Sequence, residues 1–561
     1  MTGCKRPLPP WPTFLLLFLL LALPANRHAG SNETVRFATT VRLIENGTVE
    51  LGPYAARTND VATYHGRFYN DKAPGVSLLL APIYALVRLV SSDFDVARHA
   101  CRLLSLTLLA LFTAFFLWHR LIAWGLPGRL SLVAACGFVI SSTAWPFFTM
   151  LYGHGFAACL ILIGILLLVE YRKRNGELRL LAFSGLCFGS SIAIEYPTAL
   201  LGVCAGLYLI SFERRVGRVA LFVALGAVLP ALICGGFNYA AFGNPFHFGY
   251  SEEKYAYFSR HMSRGLMGAG LPRLDNLYLL LLSPAKGLFF WSPFLLFGLA
   301  GMIVMIARQP REGFLLFGMF LSSALFFSGY YEASGAASLG PRHLAPLVGP
   351  LVLAGAWLIG RAGPRWRGAY VGAAIFSSLL MSSGQFSEPQ MPDRVVNPLW
   401  EFAVPMLAGG GGPGNLLGLP DRFAWPLALL LLVGLWVSVF LHADYAEPKL
   451  SLARAASVLG FALLAAFYLG LGPHLGETEP GMLHQVRGNH FMVRADYQQA
   501  ASEYESAYAT RKDPWILFYL ARARALAGDD TLADQTMQRL MRAYPTFVQT
   551  LRRNRGAPLS P

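Results

Sequence analysis

The residues best suited to chemistry fall in one passage, Asn32 to Leu80, where acidic, basic and aromatic side chains crowd between long apolar runs. Glu33 stands just after the first apolar segment, with Arg36 and Arg42 on its helical face. Tyr64 and Tyr69 mark an aromatic turn, followed by Asp71-Lys72-Ala73-Pro74-Gly75. A carboxylate can accept a hydroxyl proton, Lys and Arg can hold a phosphate, and aromatic faces can stack on sugar rings. Together they suit the handling of a phosphorylated lipid and a sugar. Gly, Pro, Asp and Asn also dominate ordinary loops, so a solvated connector is the plain alternative.

Composition sets the frame around that loop. Of 561 residues, 55% are hydrophobic and 14% charged, against about a quarter charged in soluble domains. Many apolar runs approach the roughly 20 residues a spanning helix needs, and none alternates as a barrel strand would. The expected fold is therefore all-α: a polytopic transmembrane helical bundle with large outer loops and a small helical-repeat-like C-terminal domain. The net charge of +15 resides in short connectors rather than one basic stripe, which reads as membrane topology and excludes nucleic acid. None of the seven cysteines, Cys4, Cys101, Cys136, Cys159, Cys187, Cys204 and Cys234, pairs at metal-ligand spacing. No metal site or cofactor is expected.

In chain order, Lys5 and Arg6 precede an apolar run that serves as a first span or signal anchor, residues 1–25. Residues 26–97 form the first outer, active-site loop, in which 76–90, interrupted by Pro82, dips into the interface. Residues 98–476 carry the remaining spans, about 13 in all, with Arg-rich connectors at one membrane face and long loops at the other. Residues 489–555 turn amphipathic, with Ala and large apolar residues at three- and four-residue spacing. They resemble one and a half tetratricopeptide repeats, a surface for docking on the membrane domain or a protein partner.

Other outer-side residues qualify as ligands of a substrate. His154 follows Tyr152-Gly153 at a helix end, Glu195 lies between two spans, where a carboxylate is costly unless paired or used, and Arg342-His343 open a span after Gly340-Pro341.

The motifs SNETVRFATTVRLIENG, FYNDKAPGVSLLLAPIYAL and DVARHACRLLSLTLLALF resemble, in order, the acidic, Lys-bearing and Arg-led segments of GT-C polytopic glycosyltransferases. The likeness is to the bacterial branch of protein O-mannosyltransferases and the aminoarabinose transferase of lipid A, and it covers about residues 12–360. It implies an inverting transfer of sugar from a polyprenyl-phosphate donor to a glycan, lipid or protein acceptor, at the outer face of the cytoplasmic membrane and without a metal. It makes Glu33 the general base and Lys72 the phosphate ligand. Arg36, Tyr69, Asp71, Lys72, His154, Glu195, Arg342 and His343 form the expected substrate-binding set. The family often shows Asp-Glu where this chain has Asn32-Glu33; if the first position is the catalytic one, Asp60 and Asp71 are the remaining carboxylates. A flippase of lipid-linked sugars and a non-catalytic scaffold are the alternative functions.

Overall fold

A computed structural model describes residues 10–27, 29–174, 176–262, 264–442 and 450–555. Cys4, Lys5 and Arg6 lie outside the described residues. The chain divides into two compact units, Met1–Met391 with Met406–Gly470, and Pro392–Pro405 with Leu471–Pro561.

The first unit is a multi-span helical membrane domain. The apolar runs read from the sequence as spans are helical, some of them broken into two, and among the described residues seven helices are long and apolar enough to cross a membrane. Leucine, valine and isoleucine side chains stand exposed along Val216–Phe242, among them Leu221, Leu225, Leu229 and Leu232. A helix apolar all round and bare on one side is solvated by lipid. Gly153–Lys173 is the opposite case, buried along nearly its whole length.

Between lipid-facing and buried helices, backbones approach through small residues. Helices Leu178–Ile194 and Val216–Phe242 meet so closely at Gly226 that an added Cβ would lie 1.8 Å from the Ala182 carbonyl oxygen.

The loop after the first span is more structured than a connector. Helix α1 (Trp11–Ala22) ends where Arg102, at the end of α4 (Phe94–Arg102), donates to the carbonyls of Leu21 and Pro24 at 2.8 and 3.0 Å. This satisfies acceptors that any helix C-terminus leaves open. Helix α2 (Ser31–Asn46) stops at Gly47, whose φ of +63° takes the left-handed turn. A hairpin follows, β1 (Val61–Tyr64) paired with β2 (Arg67–Asn70) in the register Val61↔Asn70. Its two-residue turn, His65-Gly66, has positive φ at both positions, as a hairpin turn that follows strand twist requires. Tyr64 and Tyr69, expected in a simple turn, thus belong to strands. The run after Pro74 forms α3 (Gly75–Val87), and it includes Pro82. Gly75 abuts the end of helix Leu178–Ile194, where a Cβ would stand 2.6 Å from the Ala193 carbonyl oxygen.

The second unit consists of helices Pro480–Val493, Tyr497–Thr510, Pro514–Leu526, Asp530–Ala543 and Pro545–Arg555. Asp496, Asp513 and Asp529 each cap the helix that follows by accepting a backbone N–H. Ala500, Tyr504, Ala507, Leu517, Leu520, Ala521 and Leu540 share one core. The result is two helical hairpins and a final helix, beginning at Pro480, ahead of the amphipathic stretch recognised from Asn489.

The Gly226 contact yields a direct stability test. Gly226→Leu should force the two backbones apart and cost roughly 1–3 kcal/mol, as overpacking does, lowering the thermal midpoint of the detergent-purified protein. An unchanged midpoint would mean that the helices are not held at this separation.

Candidate functional site

Two buried ion pairs anchor α2 to the span ends. Arg36 is fully buried; its guanidinium donates to Asn32 Oδ1 (2.9 Å), to the Ala73 carbonyl (3.0 Å) and to Glu195 Oε1 (2.7 Å). It thereby ties α2 to the Lys72 loop and to the break between helices Leu178–Ile194 and Ala199–Ile210. Glu33, also fully buried, accepts from Arg98 Nη1 at 3.0 Å and from the Leu151 N–H at 3.0 Å. Arg98 is steadied in turn by the Asn26 carbonyl and Asp95. Neighbours at i,i+3 on a helix commonly pair, yet Glu33 and Arg36 turn to different partners. Neither lines the cavity beside them.

That cavity, about 340 Å³, is lined by Asn32, Asp60, Lys72, Tyr152, His154, Glu195, Tyr250, Glu253, Tyr330, Tyr331, Glu332, Arg342, His343 and Gln390 among others. Three segments remote in sequence, around residues 31–72, 250–262 and 330–343, therefore converge on it. Of the expected ligands, Lys72, His154, Glu195, Arg342 and His343 face it. Asp71 is buried directly behind Lys72. Tyr69 points elsewhere, into a cluster with Phe242 at a ring separation of 5.5 Å.

Lys72 sits among acids. Its Nζ is 2.6 Å from Asp71 Oδ2 and 3.6 Å from Asp60 Oδ1, and 5.5 Å from the Tyr250 ring centre. Burial works against its charge, but Asp60, Asp71 and Glu253 outweigh it and raise its pKa well above the ordinary lysine value. Burial also raises the Asp71 carboxyl, against the pull of Lys72. It pushes Glu253 up to about 9, with the adjacent Asp71 charge adding to the effect. Asp71 Oδ1 is buried and has no hydrogen-bond partner among the described residues. Asp71 and Glu253 thus act as a pair that keeps one proton at neutral pH.

Arg342 is the contrasting cation. It begins a short turn leading into helix Val348–Gly360, and the loop before it is pinned by Lys286. That buried ammonium donates to the carbonyls of Ala336 and Ser338, both at 2.7 Å. Among the described residues, no carboxylate pairs with the Arg342 guanidinium, and its buried Nε has no acceptor. Beside it, His343 stacks on Phe327 at 4.7 Å and stands edge-on to His154 at 5.6 Å.

Sequence reasoning did not single out Tyr250, Glu253, Gln390 or Lys286. Ser251-Glu252-Glu253 and Pro284-Ala285-Lys286 were visible as polar insertions between apolar runs, but nothing in their spacing indicates which side chain turns inward.

No protein-family model matches this chain, and no curated protein matches it. Among solved structures it is similar to the crystal structure of ArnT from Cupriavidus metallidurans in the apo state, at 14% identity over 84% of this chain and 77% of that one, with a TM-score of 0.44. The same protein bound to undecaprenyl phosphate aligns at 15% identity, covering 82% and 76%, with a TM-score of 0.41. The Archaeoglobus fulgidus oligosaccharyltransferase in the apo form aligns at 11% identity, covering 80% and 56%, with a TM-score of 0.38. The role of each residue in the cavity rests on the geometry above.

The shared proton has a measurable consequence. In the unfolded chain Glu253 ionises near its ordinary 4.5, whereas in the folded protein it does so only at about 9. Its contribution to stability is thus complete below about 4.5 and lost progressively as pH rises to about 9. Glu253→Gln is expected to flatten the fall of the thermal midpoint over that window; a slope identical to wild type would refute a proton held there.

Proposed function

We propose that the first unit is a glycosyltransferase that moves a sugar from a polyprenyl-phosphate donor to an acceptor hydroxyl in this cavity. One observation carries the reading: the Arg342 guanidinium, without a counter-ion, faces the same pocket as the Lys72 ammonium. Arg342 is half-buried with its Nε enclosed; a partly desolvated cation without an ion-pair partner favours an arriving anion, and a planar guanidinium matches a phosphate's oxygens. Tyr250, Tyr330 and Tyr331 supply faces on which a sugar ring can rest.

Cavity geometry favours Asp60 over Glu33 as the base. Glu33 is enclosed by Arg98, and Glu195 is locked to Arg36. Glu253 carries a proton at neutral pH, and Glu332 accepts from Ser334 at 2.7 Å. Asp60 is 21% exposed and has Lys72 as a distant partner at 3.6 Å. When the donor's phosphate takes Lys72, Asp60 loses its ion-pair partner and its oxygens become free to meet an acceptor hydroxyl. Donor binding would therefore prepare the base.

In the transfer step the acceptor oxygen attacks the anomeric carbon from the side opposite the phosphate. The carbon–oxygen bond to phosphate breaks, its electron pair stays on the departing polyprenyl phosphate, and the acceptor proton passes to Asp60. Arg342 and Lys72 meet the charge that grows on the leaving group, so their attraction is strongest in the transition state. Inversion follows from opposite-face attack. The positive-inside pattern supports a cavity at the outer membrane face. The sugar and the acceptor class belong to the specificity of the aromatic wall.

Purified protein supplied with radiolabelled polyprenyl-phosphate sugars tests this reading. Lys72→Ala and Arg342→Ala should each lower turnover about ten- to a thousand-fold. Asp60→Asn should lower kcat by about a hundred-fold or more while donor binding persists. Glu33→Gln should act through stability, leaving more activity per folded molecule than Asp60→Asn. Full turnover in Arg342→Ala would refute the phosphate site, and the reverse ranking of Asp60 and Glu33 would return the base to Glu33.

A further inference from the structure

The cations that the sequence spreads over separate connectors are gathered into a second cavity at the far ends of the same helices. Gly153–Lys173 starts at the first cavity with His154 and ends here with Arg172 and Lys173. Arg342–Gly360 runs the same way, from Arg342 to Trp357 and Arg361. At about 1.5 Å per residue, a helix of 21 residues separates the two cavities by about 30 Å, the hydrocarbon thickness of a bilayer.

This second cavity, about 570 Å³, has an apolar floor that includes Leu121, Val169, Leu316 and Leu353. Its rim carries Arg172, Lys173, Arg308, Arg311 and Arg361. The neighbouring acids are already engaged. Glu170 accepts from Arg174, from Arg120 at 3.2 Å and from the Trp124 indole at 3.1 Å. Glu312 takes Arg172 and the Tyr208 hydroxyl. Among the described residues, that leaves Lys173, Arg308, Arg311 and Arg361 without a carboxylate partner. The Lys173 ammonium rests 4.1 Å from the centre of the Trp124 ring, and the Arg361 guanidinium 4.4 Å from that of Trp357.

We propose that this cavity binds one anionic phospholipid of the surrounding membrane. Its phosphate would sit among Lys173, Arg308 and Arg311, an acyl chain would cover the apolar floor, and Trp124 and Trp357 would lie at headgroup depth, where tryptophan is favoured. Basic pockets between spanning helices are suited to anionic headgroups. A free phosphate would leave the apolar floor bare, and a zwitterionic lipid would leave the cationic excess uncompensated. The site is independent of the transfer reaction proposed for the other cavity.

Native mass spectrometry of the full-length protein in detergent, titrated with phosphatidylglycerol or phosphatidylcholine, tests it. One phosphatidylglycerol should be retained in preference to phosphatidylcholine, and inorganic phosphate should not displace it. Among the described residues Arg308 and Arg311 make no ion pair, so Arg308→Gln with Arg311→Gln should fold normally and weaken retention about ten-fold or more. Arg308→Lys with Arg311→Lys should keep most of the binding, and Lys173→Met provides an independent loss-of-charge variant. Equal retention of the two lipids would overturn the proposal, as would undiminished binding in the Gln variant. Displacement by inorganic phosphate would replace it with a free-anion site.

Discussion

The site depends on two ion pairs drawn out of water, Glu33 with Arg98 and Arg36 with Glu195. Charges in such surroundings are tolerable only when geometry is good and the remaining polar atoms find partners. Arg36 meets this condition by spending donors on Asn32 and the Ala73 carbonyl as well as on Glu195. One side chain thus fixes three segments that are remote in sequence. Arg98 does the same for α2, α4 and the Asn26 turn. The cavity is the space left between elements held by these contacts.

Charge inside the cavity is then distributed unevenly. Around Lys72 three carboxyl groups compete for one ammonium, and burial resolves the excess by keeping a proton between Asp71 and Glu253. Arg342 makes no ion pair among the described residues, with Glu195, its acidic neighbour in the cavity, taken by Arg36. A resting site with one over-neutralised cation and one bare cation is poised to take an anion, after which Asp60 is released from Lys72. The loop carrying Arg342 cannot drift away, because Lys286 holds its backbone from below. In the proposed transfer, binding, positioning and proton acceptance fall to different residues, each set by its own local field.

Much of this was legible in the sequence. Apolar runs and Arg-rich connectors marked the helices, and the convergence of Lys72, His154, Glu195, Arg342 and His343 followed from placing their loops on one membrane face. Partner choice was not legible. Glu33 and Arg36 have ideal i,i+3 spacing, yet buried partners more than sixty residues away outcompete a local pair whose worth is only a few tenths of a kcal/mol. The four-residue strands of the hairpin were too short to show alternation, although His65-Gly66 is a turn signal in retrospect. Tyr69 faces Phe242 for the same reason: strand register, invisible in a short segment, decides its side. Asp60 ranked below Glu33 because motif position favoured Glu33, and only burial separates a carboxylate that is enclosed from one that is open.

The central claim is that Arg342 and Lys72 together receive a lipid phosphate. Electron cryo-microscopy of the purified protein incubated with polyprenyl phosphate tests it most directly. The account predicts density for the phosphate within hydrogen-bonding distance of the Arg342 guanidinium, with Lys72 turned toward it and away from Asp60. Phosphate density elsewhere on the protein, with Lys72 still paired to Asp60 and Arg342 still bare, would contradict it.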